Sequence, residues 1–318
     1  MKIEYYLIKE SLRHLNNNVS VKAYKQSIKK FLKWCESLDN SDERISYENS
    51  LEDRIRIVQE YTDYLVKNTN YTPETIHRYI GPVCKGYGFS MAKIKKPKRT
   101  SYERVRSRVD YKNRQGKKEL NNPKFKRLIK FARVVGIRRA EYKRLLGSDL
   151  IQDKDGNYYI LVRRGKGGKQ QKQVVLPYAR EIVLETFIGV GKDERVFSKE
   201  EMSNHIDLHA LRADASYKAY CYFLDKITKD PIYKNQLINA LSERWLEEHP
   251  DKDKNTNAYI DYMEAIMNPK PYKLRGENIE MAKKKGHPLV YNRIALMAIS
   301  VFCLSHWRLS VTTTNYMC

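Results

Sequence analysis

Four short patterns set charged or nucleophilic side chains where they could act together. Gly136-Ile137-Arg138-Arg139-Ala140-Glu141 places an arginine at the start of a helix with a carboxylate one turn later. Taken alone, that is an ordinary Arg–Glu pair at i, i+3. Gly165-Lys166-Gly167-Gly168-Lys169 is a glycine turn carrying two lysines. It is too short and wrongly ordered for a GxxxxGK[ST] phosphate loop. It reads either as a solvated hairpin tip or as a turn tight enough to pass a lysine into a DNA groove. His209-Ala210-Leu211-Arg212 is the one HxxR among 7 histidines, and its i, i+3 spacing sets both side chains on one helix face. Last, Leu304-Ser305-His306-Trp307-Arg308 leads through Ser310-Val311-Thr312 to Tyr316, ten residues beyond His306. One more tyrosine among 24 is unremarkable, but a histidine at that spacing behind an apolar helix is not easily dismissed.

Helices must position most of these groups. Ser20 is placed to cap a helix whose apolar residues Val21, Tyr24, Ile28, Phe31, Leu32 and Cys35 keep a 3.6-residue period. Ile55, Val58, Tyr61, Leu65 and Val66 predict a second helix. Thr72-Pro73-Glu74 starts a third, with a capping threonine and proline at the first helical position, and Gly81-Pro82 is expected to end or kink it. Beyond Asn121, Phe125, Leu128, Ile129 and Ala132 form a helix face, and Ala140, Tyr142 and Leu145 suggest another. Asp153-Lys154-Asp155-Gly156-Asn157 is a turn. Strands are expected at Tyr158–Val162 and Gln173–Leu176, on either side of the glycine turn. Asp207 is placed to cap the HxxR helix, with Leu211, Ala215, Ala219 and Tyr222 on its buried side.

At 318 residues the chain is long for one domain, and 41% hydrophobic residues suffice for real cores. The longest apolar run, Ile294 to Leu304, falls short of the roughly 20 residues a bilayer requires. The start lacks the order of a signal peptide. Cys35, Cys84, Cys221, Cys303 and Cys318 are scattered without CxxC spacing, which reads as reduced thiols in a cytoplasm and not as a zinc site or disulfide scaffold. A net charge of +23 points to a polyanionic partner, with a ribosome-like RNA binder, an anionic membrane surface or plain solubility as the bland alternatives. The strongest composition shift runs from Lys93 to Lys118, where twelve lysines and arginines face only Glu103 and Asp110, a net +10. Such a run is a solvated linker, a basic strap along DNA phosphates, or both.

Taken in order, the four patterns resemble the tyrosine recombinase (phage integrase) family, whose signature is a GxRxxE box, a hairpin lysine in a GKGxK turn, HxLR, and LGH followed by a nucleophilic tyrosine. The likeness covers roughly residues 15–212 and 292–316, and Thr72–Ile80 is similar to the last helix of the family's DNA-binding domain. The resemblance implies a mostly α fold with a small antiparallel β-sheet. A helical core-binding domain would span 1–95, a basic linker 96–117 and a catalytic domain 118–318, the two domains closing on DNA like a clamp.

It also implies roles for these residues. Arg138 and Arg212 would hold the scissile phosphate with planar forks that stay charged. Arg139 is a rival to Arg138, but the positions of Gly136 and Glu141 favour Arg138, with Glu141 in support. Lys166 would protonate the leaving 5′-oxygen, which requires a pKa lowered toward neutrality. His209 would act as acid and base beside the tyrosine, His306 would donate to the phosphoryl oxygens, and Tyr316 would attack phosphorus. Lys95, Lys96, Lys98, Arg99 and Lys169 would contact DNA.

Three departures stand out. Ninety-four positions separate Arg212 from His306, far more than the family's usual gap, so an insertion of unassigned role is expected at about 225–290. Ser305 stands where the family usually has glycine. Only Met317 and Cys318 follow Tyr316, which puts in doubt any docking of a C-terminal tail on a neighbouring protomer.

The resulting expectation is a site-specific recombinase, an integrase of a mobile element, that cleaves and rejoins double-stranded DNA through a 3′-phosphotyrosine. It would need no metal or other cofactor, have no membrane partner, be monomeric when free and form a homo-tetramer on DNA, in the cytoplasm. The alternatives are a topoisomerase IB-like or telomere-resolving enzyme, and a DNA-binding regulator with a vestigial site.

Overall fold

A computed structural model of the chain describes residues 3–13, 15, 18–39, 45–46, 48–99, 114–165 and 168–317. The chain divides into two compact units, Met1–Val105 and Arg106–Cys318. Most of the expected basic linker, residues 100–113, lies outside the described residues. Among the described residues, no helix is long and apolar enough to cross a membrane.

The first unit is helical, with α1 at Ile3–Leu12, α2 at Asn18–Cys35, α3 at Leu51–Asn68 and α4 at Pro73–Gly86. Leu7, Ile28, Phe31, Val58, Ile80 and Val83 are fully buried between them. Helix α1 packs so closely on α4 that a Cβ on Gly86 would lie 2.9 Å from the Leu7 carbonyl oxygen. Thr72 caps α4 as expected, its side chain accepting from the Thr75 amide, and Pro73 follows at the first position. One expectation fails: Ser20 lies inside α2, which begins at Asn18, so it caps nothing. Of the two outcomes expected at Gly81-Pro82, an end is not found, since α4 runs on to Gly86. Pro82 leaves the Arg78 carbonyl without its helical donor, but the buried Ser27 hydroxyl of α2 lies 3.4 Å from that oxygen.

In the second unit come α5 at Arg114–Glu119, α6 at Lys126–Ala132 and the short α7 at Arg139–Tyr142. A three-stranded antiparallel sheet follows, with β1 at Leu150–Gln152, β2 at Tyr158–Val162 and β3 at Gln171–Val174. Leu150 pairs with Ile160, and Tyr159 with Val174. The expected 153–157 turn joins β1 to β2, with Gly156 at a φ of +79°. Strand β3 begins two residues before its expected position because its inward side chains are amides. Gln171 and Gln173 are buried where an apolar run would be looked for.

Helices α8 at Arg180–Phe187 and α9 at Lys199–Met202 lead to α10, Leu208–Lys229, which carries the HxxR pattern. The expected insertion folds as α11 at Pro231–Glu248, α12 at Asn257–Met267, α13 at Glu277–Lys284 and the paired strands β4 (Tyr272–Lys273) and β5 (Val290–Tyr291). It is not an appendage. Trp245, Tyr259, Tyr262 and Ile266 share one hydrophobic core with Phe223 of α10 and with Leu296 of α14, Arg293–Ala298. A π-helical turn at Ile299–Cys303, the short α15 at Leu309–Thr312 and a second π-helical turn at Thr313–Met317 complete the chain. The arrangement is mostly α with small antiparallel sheets.

Candidate active site

Arg138 sits at the N-cap of α7, where Glu141 reaches back to it. The Glu141 carboxylate accepts from the Arg138 amide at 2.6 Å and from its guanidinium at 2.8 Å. Glu141 is buried and also lies 3.8 Å from Nη1 of Arg212, so one carboxylate serves both arginines. Arg139 turns elsewhere, donating to the side chain of Asn204 at 2.9 Å and to the Ile206 carbonyl. That leaves Arg138 as the arginine beside Arg212.

Helix α10 brings Arg212 in from below. Asp207 caps the helix, accepting from the amides of His209 and Ala210 at 3.0 Å each. Arg212 lies one turn in, fully buried, with Nη2 donating to the Leu304 carbonyl at 3.1 Å. Gly136 backs onto its aliphatic stem, at 3.4 Å from where a Cβ would stand. Nε and Nη1 find no hydrogen-bond partner among the described residues. Burial, followed by the charge of Arg138, lowers the Arg212 pKa, while Tyr316 and Glu141 oppose the shift. Arginine nevertheless stays charged at any working pH. A buried guanidinium with unfilled donor positions is costly to a fold.

His306 follows the first π-helical turn. Its amide donates to the Ser300 carbonyl at 2.8 Å, and the buried Ser300 hydroxyl bonds that of Thr312. The turn before the histidine is thereby tied to the helix before the tyrosine. Burial, then the charges of Arg212, Arg138 and Arg308, push the His306 pKa down to about 4, so the ring is neutral near pH 7. Neither ring nitrogen has a hydrogen-bond partner among the described residues. Ser305 adopts a φ of +55°, the left-handed conformation that favours glycine. This is the physical reason a glycine suits the position. Serine here carries a strain of order 1 kcal/mol, and its hydroxyl accepts from the Gln173 amide at 3.3 Å.

Tyr316 lies in the second π-helical turn and is only 5% exposed, seated on Ala213 and Leu304. Three of the expected groups surround its ring. The guanidinium carbon of Arg212 is 5.1 Å from the ring centre, the His209 ring 5.5 Å away edge-on, and the His306 ring 6.2 Å away and nearly parallel. Arg138, Glu141, His209, Arg212, His306 and Tyr316 therefore converge, although about 180 positions separate the first from the last.

Lys166, together with Gly167, lies outside the described residues. Lys169 is exposed at the end of the same turn, where its carbonyl accepts from the Gly165 amide at 2.7 Å. In the first unit, Lys95 and Lys98 are exposed, and Arg99 forms a surface ion pair with Glu74 at 3.3 Å. The Lys96 ammonium instead donates to the carbonyls of Met91 and Ile94, at 2.7 and 3.0 Å. Sequence reasoning missed Gln173 and Ser300, which carry no motif, and missed Trp307, whose indole donates to Glu248 of α11 at 2.9 Å.

No family model matches the chain, and no curated protein does. Among solved structures there is a weak likeness to the crystal structure of XerA recombinase, at 15% identity over 68% of this chain and 83% of that chain, with a TM-score of 0.24.

Proposed function

We propose that the chain is a site-specific tyrosine recombinase that cleaves and rejoins double-stranded DNA, of the kind that integrates mobile elements and works as a tetramer on two duplexes. The observation that carries the reading is the convergence on one tyrosine of the buried Arg212 guanidinium, whose Nε and Nη1 make no hydrogen bond among the described residues, and the neutral His306 ring, with Arg138 alongside. Arginine forks match the oxygens of a phosphodiester, and a neutral imidazole donates one further hydrogen bond as charge builds there.

The Tyr316 oxygen forms a bond to phosphorus while the bond from phosphorus to the 5′-oxygen breaks. His209 takes the phenolic proton, and Lys166 supplies a proton to the departing 5′-oxygen. The product is a 3′-phosphotyrosine and a free 5′-hydroxyl. Attack by a 5′-hydroxyl of the partner duplex reverses the step, so the phosphodiester energy is retained without a nucleotide cofactor. Because the Tyr316 ring lies over Arg212, the ring must pivot away as the phosphate enters.

A duplex nicked just beyond the scissile phosphate loses its short 5′-hydroxyl fragment by diffusion, so the covalent intermediate accumulates. Wild-type protein should give a DNA adduct stable in a denaturing gel, and peptide mapping should place it on Tyr316. Tyr316→Phe should abolish the adduct while DNA binding stays within about twofold, since the ring still packs. An adduct on Tyr272 or Tyr291 would overturn the assignment. No adduct on any site DNA would favour a DNA-binding regulator.

A further inference from the structure

The segment from Tyr272 to Tyr291, the second half of the insertion, meets the Tyr316 turn at the Met317 carbonyl and at the hydroxyls of Thr313 and Thr314. His287 Nδ1 is 2.9 Å from the Met317 carbonyl, and the Tyr291 hydroxyl donates to the same oxygen at 3.1 Å. The Asn278 amide donates to the Thr314 hydroxyl at 3.2 Å, and the Thr313 hydroxyl lies 3.4 Å from that of Tyr272. His287 is itself fixed, its ring stacked on Tyr217 of α10 with centroids 3.8 Å apart and planes within 5°. Tyr291 is buried edge-on against Tyr220 of the same helix, at 5.1 Å. The first half of the insertion holds the other flank. Glu248 binds the Trp307 indole, and Tyr262 of α12 packs on it edge-on at 5.3 Å, next to His306.

A π-helical turn needs such support. It is rare and held by weaker internal geometry than an α-helix, so the residues bonded to it decide where its side chains point. Two donors on one carbonyl, both anchored to the helix that carries His209 and Arg212, put the nucleophile and the phosphate-binding groups on one frame. Misplacing a reacting atom by about 1 Å can cost on the order of 10²-fold in rate.

We infer that the insertion is a brace that positions Tyr316 for attack, with His287 and Tyr291 as positioning residues acting through the Met317 carbonyl. The inference rests on the recombinase reading above. The backbone of 313–317 stays anchored while the ring pivots from Arg212 to the phosphate.

The test uses the full chain on the nicked duplex at saturating DNA, with four proteins: wild type, His287→Phe with Tyr291→Phe, His287→Asn with Tyr291→Phe, and Tyr316→Phe. Phenylalanine at 287 keeps the stack on Tyr217 and loses the donor, whereas asparagine restores an N–H near the place of Nδ1. The Phe/Phe variant should form the Tyr316 adduct at least tenfold more slowly, with unchanged DNA affinity and faster amide exchange confined to residues 313–317. The Asn/Phe variant should recover most of the rate. A merely structural contact would change melting temperature and DNA affinity together and would not be rescued by asparagine, and that pattern overturns the brace. So does an unchanged or faster rate in the Phe/Phe variant, since faster attack would mean that these bonds hold a resting state. Absence of an adduct in the wild type sinks the recombinase reading and the positioning role with it, whereas a wild-type adduct with unaffected variants sinks the brace alone.

Discussion

Arg212, Arg138 and Arg308 all disfavour a proton on His306, and burial disfavours it more than any of them. The unfolded chain takes up that proton near pH 6.5, the folded chain only near pH 4. Between those values the unfolded state binds more protons, so stability is full above about pH 6.5 and falls as the pH drops through the window. The loss at this one residue between pH 7 and pH 5 should be about 2 kcal/mol. His306→Gln removes the titration and keeps a polar ring-sized group. Urea unfolding at the two pH values should therefore show a smaller acid loss in the variant, by about that amount. Equal losses would mean that the imidazole titrates normally and is not held among arginines. The arginine part of this effect, unlike the burial part, also bears on function, because the cations that repel a proton from the imidazole would attract the negative charge of a phosphodiester.

At the scale of elements, α10 does most to assemble the site, since one helix carries His209, Arg212 and the rings that hold the brace. Its start depends on Asp207, which satisfies two otherwise idle amides. Asp207→Ala should cost about 1 kcal/mol by denaturant unfolding and Asp207→Asn much less; equal costs would show that the cap is not what holds the helix end. This cap was legible in the sequence, as was Thr72-Pro73 on α4, because a capping side chain acts on amides two or three residues away. The patterns around Arg138, Arg212 and His306 could be picked out for the same reason, each being a short run of distinctive residue types, whereas Lys166 of the glycine turn lies outside the described residues. Other features were not. Gly81-Pro82 reads as a helix end or kink, and that the helix continues there is not evident unless Ser27, more than fifty positions away, is known to face the Arg78 carbonyl. Strand β3 hides its inward face in glutamines, and the bond of Gln173 to Ser305 spans 132 positions. The brace uses a histidine, an asparagine and two tyrosines with no shared spacing, so nothing local marks them as working on Tyr316.

Over the whole molecule, a net charge of +23 costs self-repulsion in the folded state, and the cations behind it stand in unlike surroundings. Arg138 and Arg212 are drawn into the site against Glu141, and Arg99 is held by Glu74, while Lys95 and Lys98 stand in solvent. A polyanion bound along the exposed lysines releases its condensed counterions, so affinity should fall with a log–log salt slope of about −0.9 for each phosphate neutralised. The distribution of partners tells the cations apart. Lys95→Ala and Lys98→Ala should each make the slope shallower by up to about 0.9, with stability unchanged. Lys96→Ala should behave in the opposite way. Its ammonium already serves the carbonyls of Met91 and Ile94, so losing it leaves two acceptors without their donor. The expected result is a loss of about 1 kcal/mol from the first unit and little change in salt slope. Binding titrations from 50 to 200 mM salt, paired with urea unfolding, separate the two outcomes. A slope that no lysine alters would mean that DNA lies elsewhere on the protein, and a Lys96 variant that behaves like Lys98 would mean that its ammonium swings out to the duplex on binding.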